Sequence, residues 1–236
     1  MSPQKYNSLN PEQKRLTVLK VFDDIASKYD FLNRVISLGQ DPRWRKKTIG
    51  LLKIKTNDKV LDIGCGTGDM SLLALKYSPD VISMDPSMNM LRFAKQKGLT
   101  LLVCAEAEKL PFKTNCFDKV TTAFTIRNFS SLTDVFNEIK RVLKIHGRFC
   151  AIDIGQPRNF LMKNISVLWF STIVPQLGAL LGLKKAYVYL NNSLSYIPDP
   201  QELRSQLTQL NFSNVGFKEL FFSNVYSIFA SKESDD

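Results

Sequence analysis

Residues Val60 to Asp69 read VLDIGCGTGD. Val60, Leu61 and Ile63 are apolar and largely β-favouring, which suits the end of a buried strand. Gly64, Gly66 and Gly68 follow at alternate positions. Glycines at that spacing let the backbone turn sharply and let a ligand lie against it with no Cβ in the way. Met70 to Tyr77 is mixed apolar and helix-forming, so the stretch reads strand, glycine turn, helix, a cradle for a nucleotide-type ligand. The fingerprint G-x-G-x-x-G of phosphate-binding turns would place its third glycine at position 69, which is Asp69. A carboxylate there suits the helix dipole but competes with a pyrophosphate for the same N–H groups. Asp62 adds a second negative charge at the strand end. This acidic turn fits a phosphate-free ligand with cationic groups. The plainer alternative is a tight turn that holds nothing.

Two further places carry chemistry. Asp85 ends a second apolar run, about twenty residues beyond the glycines, where an acid can accept from both ribose hydroxyls of a nucleoside. A helix N-cap is the other reading of Asp85. Arg127 and Asn128 follow a fourth strand, at the carboxyl edge where open α/β sheets bind ligands. Alternatively, Arg127 pairs with a surface carboxylate and Asn128 caps the next helix, although Ser131 and Asp134 already form a capping pattern there. His146 is the only histidine, sits in a turn and is assigned no catalytic role. Cys65, Cys104, Cys116 and Cys150 show no C-x-x-C spacing. They read as free thiols, mostly in or beside core strands, and no zinc site is expected.

The elements that must position these residues follow from periodicity. Residues 1 to about 14 are polar and expected to be loose. Leu19, Phe22, Ile25, Ala26, Tyr29 and Leu32 recur at helical steps. Gly39 and Pro42 should break that helix, leaving Trp44 in a polar turn. Strands are expected over 80–84, 99–104, 117–123 and 148–154, with Gly147 turning the chain into the last of these. A helix is expected over 132–143, with its apolar stripe from Leu132 to Leu143. Residues 165–183 carry no charge, yet Pro175, Gly178 and Gly182 make them a poor membrane span. A helix over 200–210 and a strand pair over 212–221 and 225–231 close the chain. At 236 residues and 44% hydrophobic composition, this is one large domain or a domain with an insertion. The net charge of +10 comes from lysines spread along the chain, with no arginine-rich block or basic tail. The polar N-terminus has no apolar signal-peptide run, so a cytoplasmic location is expected.

The glycine motif resembles that of the Rossmann-like, class I S-adenosylmethionine (SAM)-dependent methyltransferases, whose cofactor carries a sulfonium and an ammonium. The resemblance assigns Asp62, Gly64, Gly66, Thr67 and Asp85 to SAM. A narrower likeness covers residues 16 to 231. Tyr29-Asp30-Phe31-Leu32-Asn33, then Ser37, then Trp44-Arg45, resembles the N-terminal signature of the ubiquinone/menaquinone (demethylmenaquinone) C-methyltransferases. Tyr187-Val188-Tyr189-Leu190, Ser193-Leu194 and Pro198 match a second run of that family, and Arg127-Asn128 a third. Glu106 and Ala107 fall where the family borders the adenine, with Glu in place of Asn. Leu32 replaces Met, Asp41 stands where His is usual, and Asp153-Ile154-Gly155 replaces Glu-x-Ser.

The resemblance implies a SAM-dependent C-methyltransferase acting on the ring of a prenylated quinol. Arg127 would stabilise a developing phenolate or position a water, with Asn128 and Tyr29 orienting the ring. No metal is implied. The expected fold is α/β and Rossmann-like, mostly parallel with an antiparallel final strand, N-terminal helices and an apolar helical insertion. Its parts would be an N-terminal helical segment over the site (1–50), a SAM-binding core (51–156), an apolar substrate-side insertion (157–198) and a closing helix and strand pair (199–236). An apolar insertion with a basic surface would suit an anionic membrane face. A homo-oligomer is compatible with the sequence. Another lipid or a small phenol is the alternative acceptor. Nucleic acid ranks low because no Asn/Asp-Pro-Pro-aromatic run follows the fourth strand. A non-enzymatic dinucleotide-binding module is the other low-ranked reading.

Overall fold

Strand β1 (Val60–Ile63) is buried at every position, as an apolar run in the middle of a parallel sheet must be. In the computed structural model, which describes residues 11–155, 164, 169, 172, 176, 199–221 and 225–234, β1 pairs in parallel with β2 (Val81–Met84) and with β4 (Phe117–Ala123). Beyond β2 lies β3 (Leu102–Val103), and beyond β4 lies β5 (Leu143–Ile154), both parallel to their neighbours. β7 (Val225–Ser231) pairs antiparallel with both β5 and β6 (Ser213–Phe221). The order β3-β2-β1-β4-β5-β7-β6 makes a seven-stranded sheet. From β1 the chain works outward to β3, then returns to β4 on the other side. The carboxyl ends of β1 and β4 therefore diverge and leave a crevice at the switch point.

Helices cover both faces. On one, α6 (Leu132–Val142) and α7 (Pro200–Gln209) bury Val135, Phe136, Ile139, Leu203 and Leu207 against Leu61, Val120 and Phe149. On the other, α3 (Asp41–Leu52) packs Trp44, Ile49 and Leu52 with Met70, Val81, Cys150 and Ile152. Each such side chain contributes roughly 1.5–3 kcal/mol on leaving water. α4 (Asp69–Ala74) follows the glycine turn, and α5 (Met88–Gln96) follows β2. α1 (Pro11–Ile25) and α2 (Tyr29–Ile36), joined by a 3-10 turn at Ala26–Lys28, pack Ile25, Ala26 and Leu32 on Met90 of α5. Among the described residues no helix is long and apolar enough to cross a membrane.

The expected α/β architecture, mostly parallel with an antiparallel last strand, is the one observed. Local readings needed correction. The helix expected through Leu19 to Leu32 begins at Pro11, in the stretch expected to be loose, and is divided at Ala26. Trp44 is not in a polar turn: Pro42 occupies the first turn of α3, and Trp44 faces the core, 7% exposed. Proline is tolerated there because the first-turn N–H groups have no helical partner anyway. The third strand shrinks to two residues at the sheet edge. The fifth begins at Leu143, and the chain bulges between the pairings Phe117↔Leu143 and Lys119↔Arg148. His146 takes φ +64° inside that bulge and is exposed. The helix after the glycines covers only Asp69–Ala74. Cys104 is exposed, whereas Cys65 and Cys150 are buried; all four thiols are free. The expected apolar insertion at 157–198, the Tyr187–Leu190 run and Pro198 lie outside the described residues, apart from Asn164, Trp169, Thr172 and Gln176.

Gly68 has φ +90°, and a Cβ built on it would lie 2.2 Å from Leu99 Cδ1. Gly68→Ala should therefore lower unfolding stability by about 2–3 kcal/mol, measured by urea denaturation. An unchanged midpoint would show that the turn does not need this backbone.

Candidate active site

A cleft of about 750 Å³, partly open to solvent, lies over the carboxyl ends of β1, β2 and β4. Gly64, Asp85, Glu106, Ala107, Asn128 and Tyr29 line it, so six of the residues singled out from sequence meet in one place. Arg127, Asp62, Gly66 and Thr67 are not among the lining residues. They are held immediately around it.

The glycine turn is locked by the acids. Gly64 and Gly66 take φ +64° and +57°, a region closed to most side chains, and a Cβ on Gly64 would lie 2.5 Å from Thr125 Cγ2. The Gly66 N–H donates to Asp85 Oδ2 at 2.8 Å, and the Ser87 N–H donates to Asp85 Oδ1 at 2.9 Å. Asp85 is not the N-cap of α5; Ser87 is, accepting from the Met90 N–H at 3.0 Å. Ser131 likewise caps α6, which relieves Asn128 of that role. Burial pushes the Asp85 carboxyl up to about 6, against the two backbone N–H groups that favour its ionised form. Asp62 is buried in β1 and takes a hydrogen bond from Ser71 Oγ at 2.6 Å on Oδ2. Its Oδ1 is buried without a hydrogen-bond partner among the described residues. Burial pushes Asp62 up to about 7, opposed by Ser71 and by the Arg45 charge.

Four contacts join the N-terminal helices to this crevice. Arg15 Nη1 of α1 donates to Glu106 Oε1 at 2.7 Å. Ser87 Oγ donates to Asp23 Oδ1 at 2.5 Å. Thr67 Oγ1 donates to Asp30 Oδ1 at 2.5 Å, while Lys97 Nζ bridges Asp30 and Asp69 at 2.5 and 2.7 Å. Arg15, Leu19, Phe22 and Tyr29 consequently form one wall of the cleft. Burial raises the Tyr29 phenol above its usual value, and the Arg45 charge and a hydrogen bond with Asn33 oppose it. Tyr29 therefore stays protonated near neutral pH.

Arg127 lies in a 3-10 turn at Ile126–Asn128 that follows β4. Its Nη1 donates to Asp153 Oδ1 at 2.5 Å, with side-chain exposures of 7% and 0%. The Ile154 N–H donates to the same carboxylate at 2.8 Å. Phe124, just before this turn, has φ +62° and lies under the Arg45 guanidinium, 4.9 Å from its ring centroid. Arg45 is itself buried against Asp41, with Nε–O distances of 2.9 and 3.0 Å. Sequence reasoning assigned no role to Asp153, Arg15 or Phe124. The Asp153-Ile154-Gly155 departure was the only available hint, and Arg15 gave none because its partner is 91 residues away.

This cleft suits a cationic nucleoside. It offers acids rather than a phosphate nest and a backbone stripped of Cβ atoms, and Asp62 Oδ1 in the adjoining strand has no hydrogen-bond partner among the described residues. Solved structures share the fold. A SAM-dependent methyltransferase from Aquifex aeolicus superposes with TM-score 0.60 at 18% identity, covering 86% of this chain and 97% of that one. Another from Thermotoga maritima gives 0.65 at 17%, covering 91% and 99%. The fold is that of the Rossmann-like SAM-dependent methyltransferases. The model of the ubiE/COQ5 methyltransferase family matches residues 9–232, and the chain belongs to that family. It is 35% identical to the demethylmenaquinone methyltransferase of Lactiplantibacillus plantarum, over 91% of this chain and 95% of that protein. It is 31% identical to the ubiquinone/menaquinone biosynthesis C-methyltransferase UbiE of Geobacter sulfurreducens, over 89% and 86%.

Because Arg127 is paired to a fully buried acid, Arg127→Ala should cost about 3–5 kcal/mol of stability, most of it from leaving Asp153 uncompensated. The double variant Arg127→Ala/Asp153→Asn should recover part of that loss in denaturant titrations. Additive losses would mean that the pair is energetically uncoupled.

Proposed function

We propose that this methyltransferase transfers the methyl group of SAM to a ring carbon of a prenylated quinol, of the demethylmenaquinol or ubiquinol-precursor type. The observation that carries the reading is the meeting of two residue sets in one cleft. Gly64, Asp85, Glu106 and Ala107 line the part next to the glycine turn, and Tyr29 and Asn128 line the same space. Family membership and the names of the relatives support the quinol acceptor. SAM, when bound, supplies an electrophilic methyl on a sulfonium, so the transfer calls for no metal.

The chain's own residues then have distinct tasks. Asp85 accepts from the ribose hydroxyls, and Glu106 and Ala107 border the adenine. Gly64 and Gly66 let the methionine end lie on backbone, and Thr67 holds the turn through Asp30. Asp62 accepts, directly or through a water, from the ammonium. Tyr29, protonated, and Asn128 orient the acceptor ring by hydrogen bonds. A phenol ring carbon becomes nucleophilic when its hydroxyl gives up a proton to water; as that carbon bonds to the methyl, the methyl–sulfur bond breaks, S-adenosylhomocysteine leaves neutral, and the ring carbon's own hydrogen departs as a proton to restore aromaticity. Arg127 stays protonated and cannot take that proton. Its charge, fixed by Asp153, favours the developing phenolate, directly or through an ordered water. The surrounding apolar side chains exclude water from the reacting atoms. A prenyl tail places the acceptor in a bilayer, so the enzyme works at a membrane surface from the cytoplasmic side, with no nucleic acid as partner.

The direct test is mass spectrometry of lipid extracts after incubation with labelled SAM and demethylated naphthoquinols or benzoquinols. Label on a small phenol or another lipid, and none on either quinol, would overturn the assignment. For the cofactor, Asp85 must be ionised to accept both hydroxyls. Its carboxyl titrates near 6, raised by burial, so below that pH the ligand-free protein holds a proton that binding must expel. SAM affinity should fall as pH drops through about 6 and level off above it. Asp85→Ala should weaken binding about tenfold to a hundredfold and remove the step, both read by calorimetry.

A further inference from the structure

The basic charge of this chain is concentrated in its folded form. Between Lys28 and Lys55 the sequence has eight basic residues and two acids, Asp30 and Asp41. Folding engages both acids in internal contacts. Asp41 is buried against Arg45, and Asp30 is taken by Thr67 and Lys97. Lys28, Arg34, Arg43, Lys46, Lys47, Lys53 and Lys55 all remain exposed, with no exposed acid among them. Within α3 the division follows the helical period. Asp41, Trp44, Arg45 and Thr48 face inward, and Arg43, Lys46, Lys47 and Gly50 face solvent.

Two large apolar side chains stand among these charges. Phe31 is 55% exposed and Leu38 is 62% exposed. With Lys28 and Arg34 they follow a three- and four-residue step along α2 and its C-terminal turn, so they share a stripe. Leu38 also has φ +50°. That left-handed position after a helix is usually Gly or Asn, and folding alone gives no reason for an exposed leucine there. On the same helix, Tyr29 lines the cleft.

We propose that the outer stripe of α2, the Ser37–Gln40 turn and the solvent face of α3 form a docking surface for an anionic lipid bilayer. Phe31 and Leu38 enter the headgroup region, and the lysines and arginines meet the lipid charges. The surface rests on the quinol reading for its purpose, since it carries a cleft-lining helix to the plane where a prenylated acceptor lies. A nucleic acid would match the charge but not the two exposed apolar side chains.

The test uses the full chain and vesicles of phosphatidylcholine with or without phosphatidylglycerol. The native protein should co-float with the anionic vesicles only, and salt should release it. Arg43→Gln/Lys46→Gln/Lys47→Gln, and separately Phe31→Ser/Leu38→Asn, should each weaken vesicle binding about tenfold or more. Both variants should keep native turnover on a tailless, water-soluble quinol and lose turnover on a long-tailed quinol embedded in vesicles. Retained vesicle binding in both variants overturns the surface. So does native protein that ignores anionic vesicles, or that binds a short RNA duplex in preference to them. Failure of the native chain to methylate the tailless quinol strikes the quinol reading instead, because vesicle binding is scored separately.

Discussion

The tie between the Gly66 N–H and the Asp85 carboxylate constrains the centre of this molecule. It joins the turn after β1 to the end of β2, beside the cleft. The turn can reach Asp85 because Gly64, Gly66 and Gly68 all adopt left-handed backbone. Side chains at these positions would be strained, and at Gly64 and Gly68 they would strike Thr125 and Leu99. The result is a cradle whose negative charges are partly desolvated before any ligand arrives. Asp62 and Asp85 are both raised in pKa by burial. A ligand that brings hydroxyl donors and positive charge relieves that cost, whereas a phosphate would add to it.

A second constraint is the placing of charge inside the protein. Arg127 and Arg45 are both buried, and each is answered by a buried acid, Asp153 and Asp41. Pairs of this type add little net stability over apolar packing, but removing one partner is expensive. Their value is orientation. Arg127 leaves β4 at the sheet's carboxyl edge and is held by a residue of the neighbouring strand, so its position is as rigid as the sheet. Arg45 reaches Phe124, a strained residue of the cleft wall. The same pairing removes Asp41 from the surface and leaves the neighbouring bases without a counterion from their own segment.

The N-terminal helices rest on an apolar cluster of Ile25, Ala26, Leu32 and Met90 and add polar links to it. Arg15–Glu106, Asp23–Ser87 and the Asp30–Lys97–Asp69 bridge all land on residues around the glycine turn and the cleft. Exposed and half-exposed ion pairs contribute little each. Cleft and cover are therefore coupled through a few exchangeable contacts, and the carboxylates that anchor the cover border the space a ligand fills.

Much of this was legible in the residues themselves. The alternation of apolar runs with helical stripes, and the glycine turn between the first pair, determined a mostly parallel sheet and the edge at which its cleft opens. Those signals are local, set by backbone sterics and by side-chain period over ten or so residues. Asp85 and Asn128 stood out by their places after strands, and Glu106 and Tyr29 by likeness to a family; the structure puts all four on the wall of one cleft. What sequence alone misplaced was Trp44, whose helix resumes straight after Pro42, since a proline at a helix start and one in a turn look alike. It did not supply the partner of Arg127, the cover salt bridges or the one-sided basic face. Each depends on which residues meet across tens of positions, and that is decided by strand order and helix packing, not by neighbours along the chain.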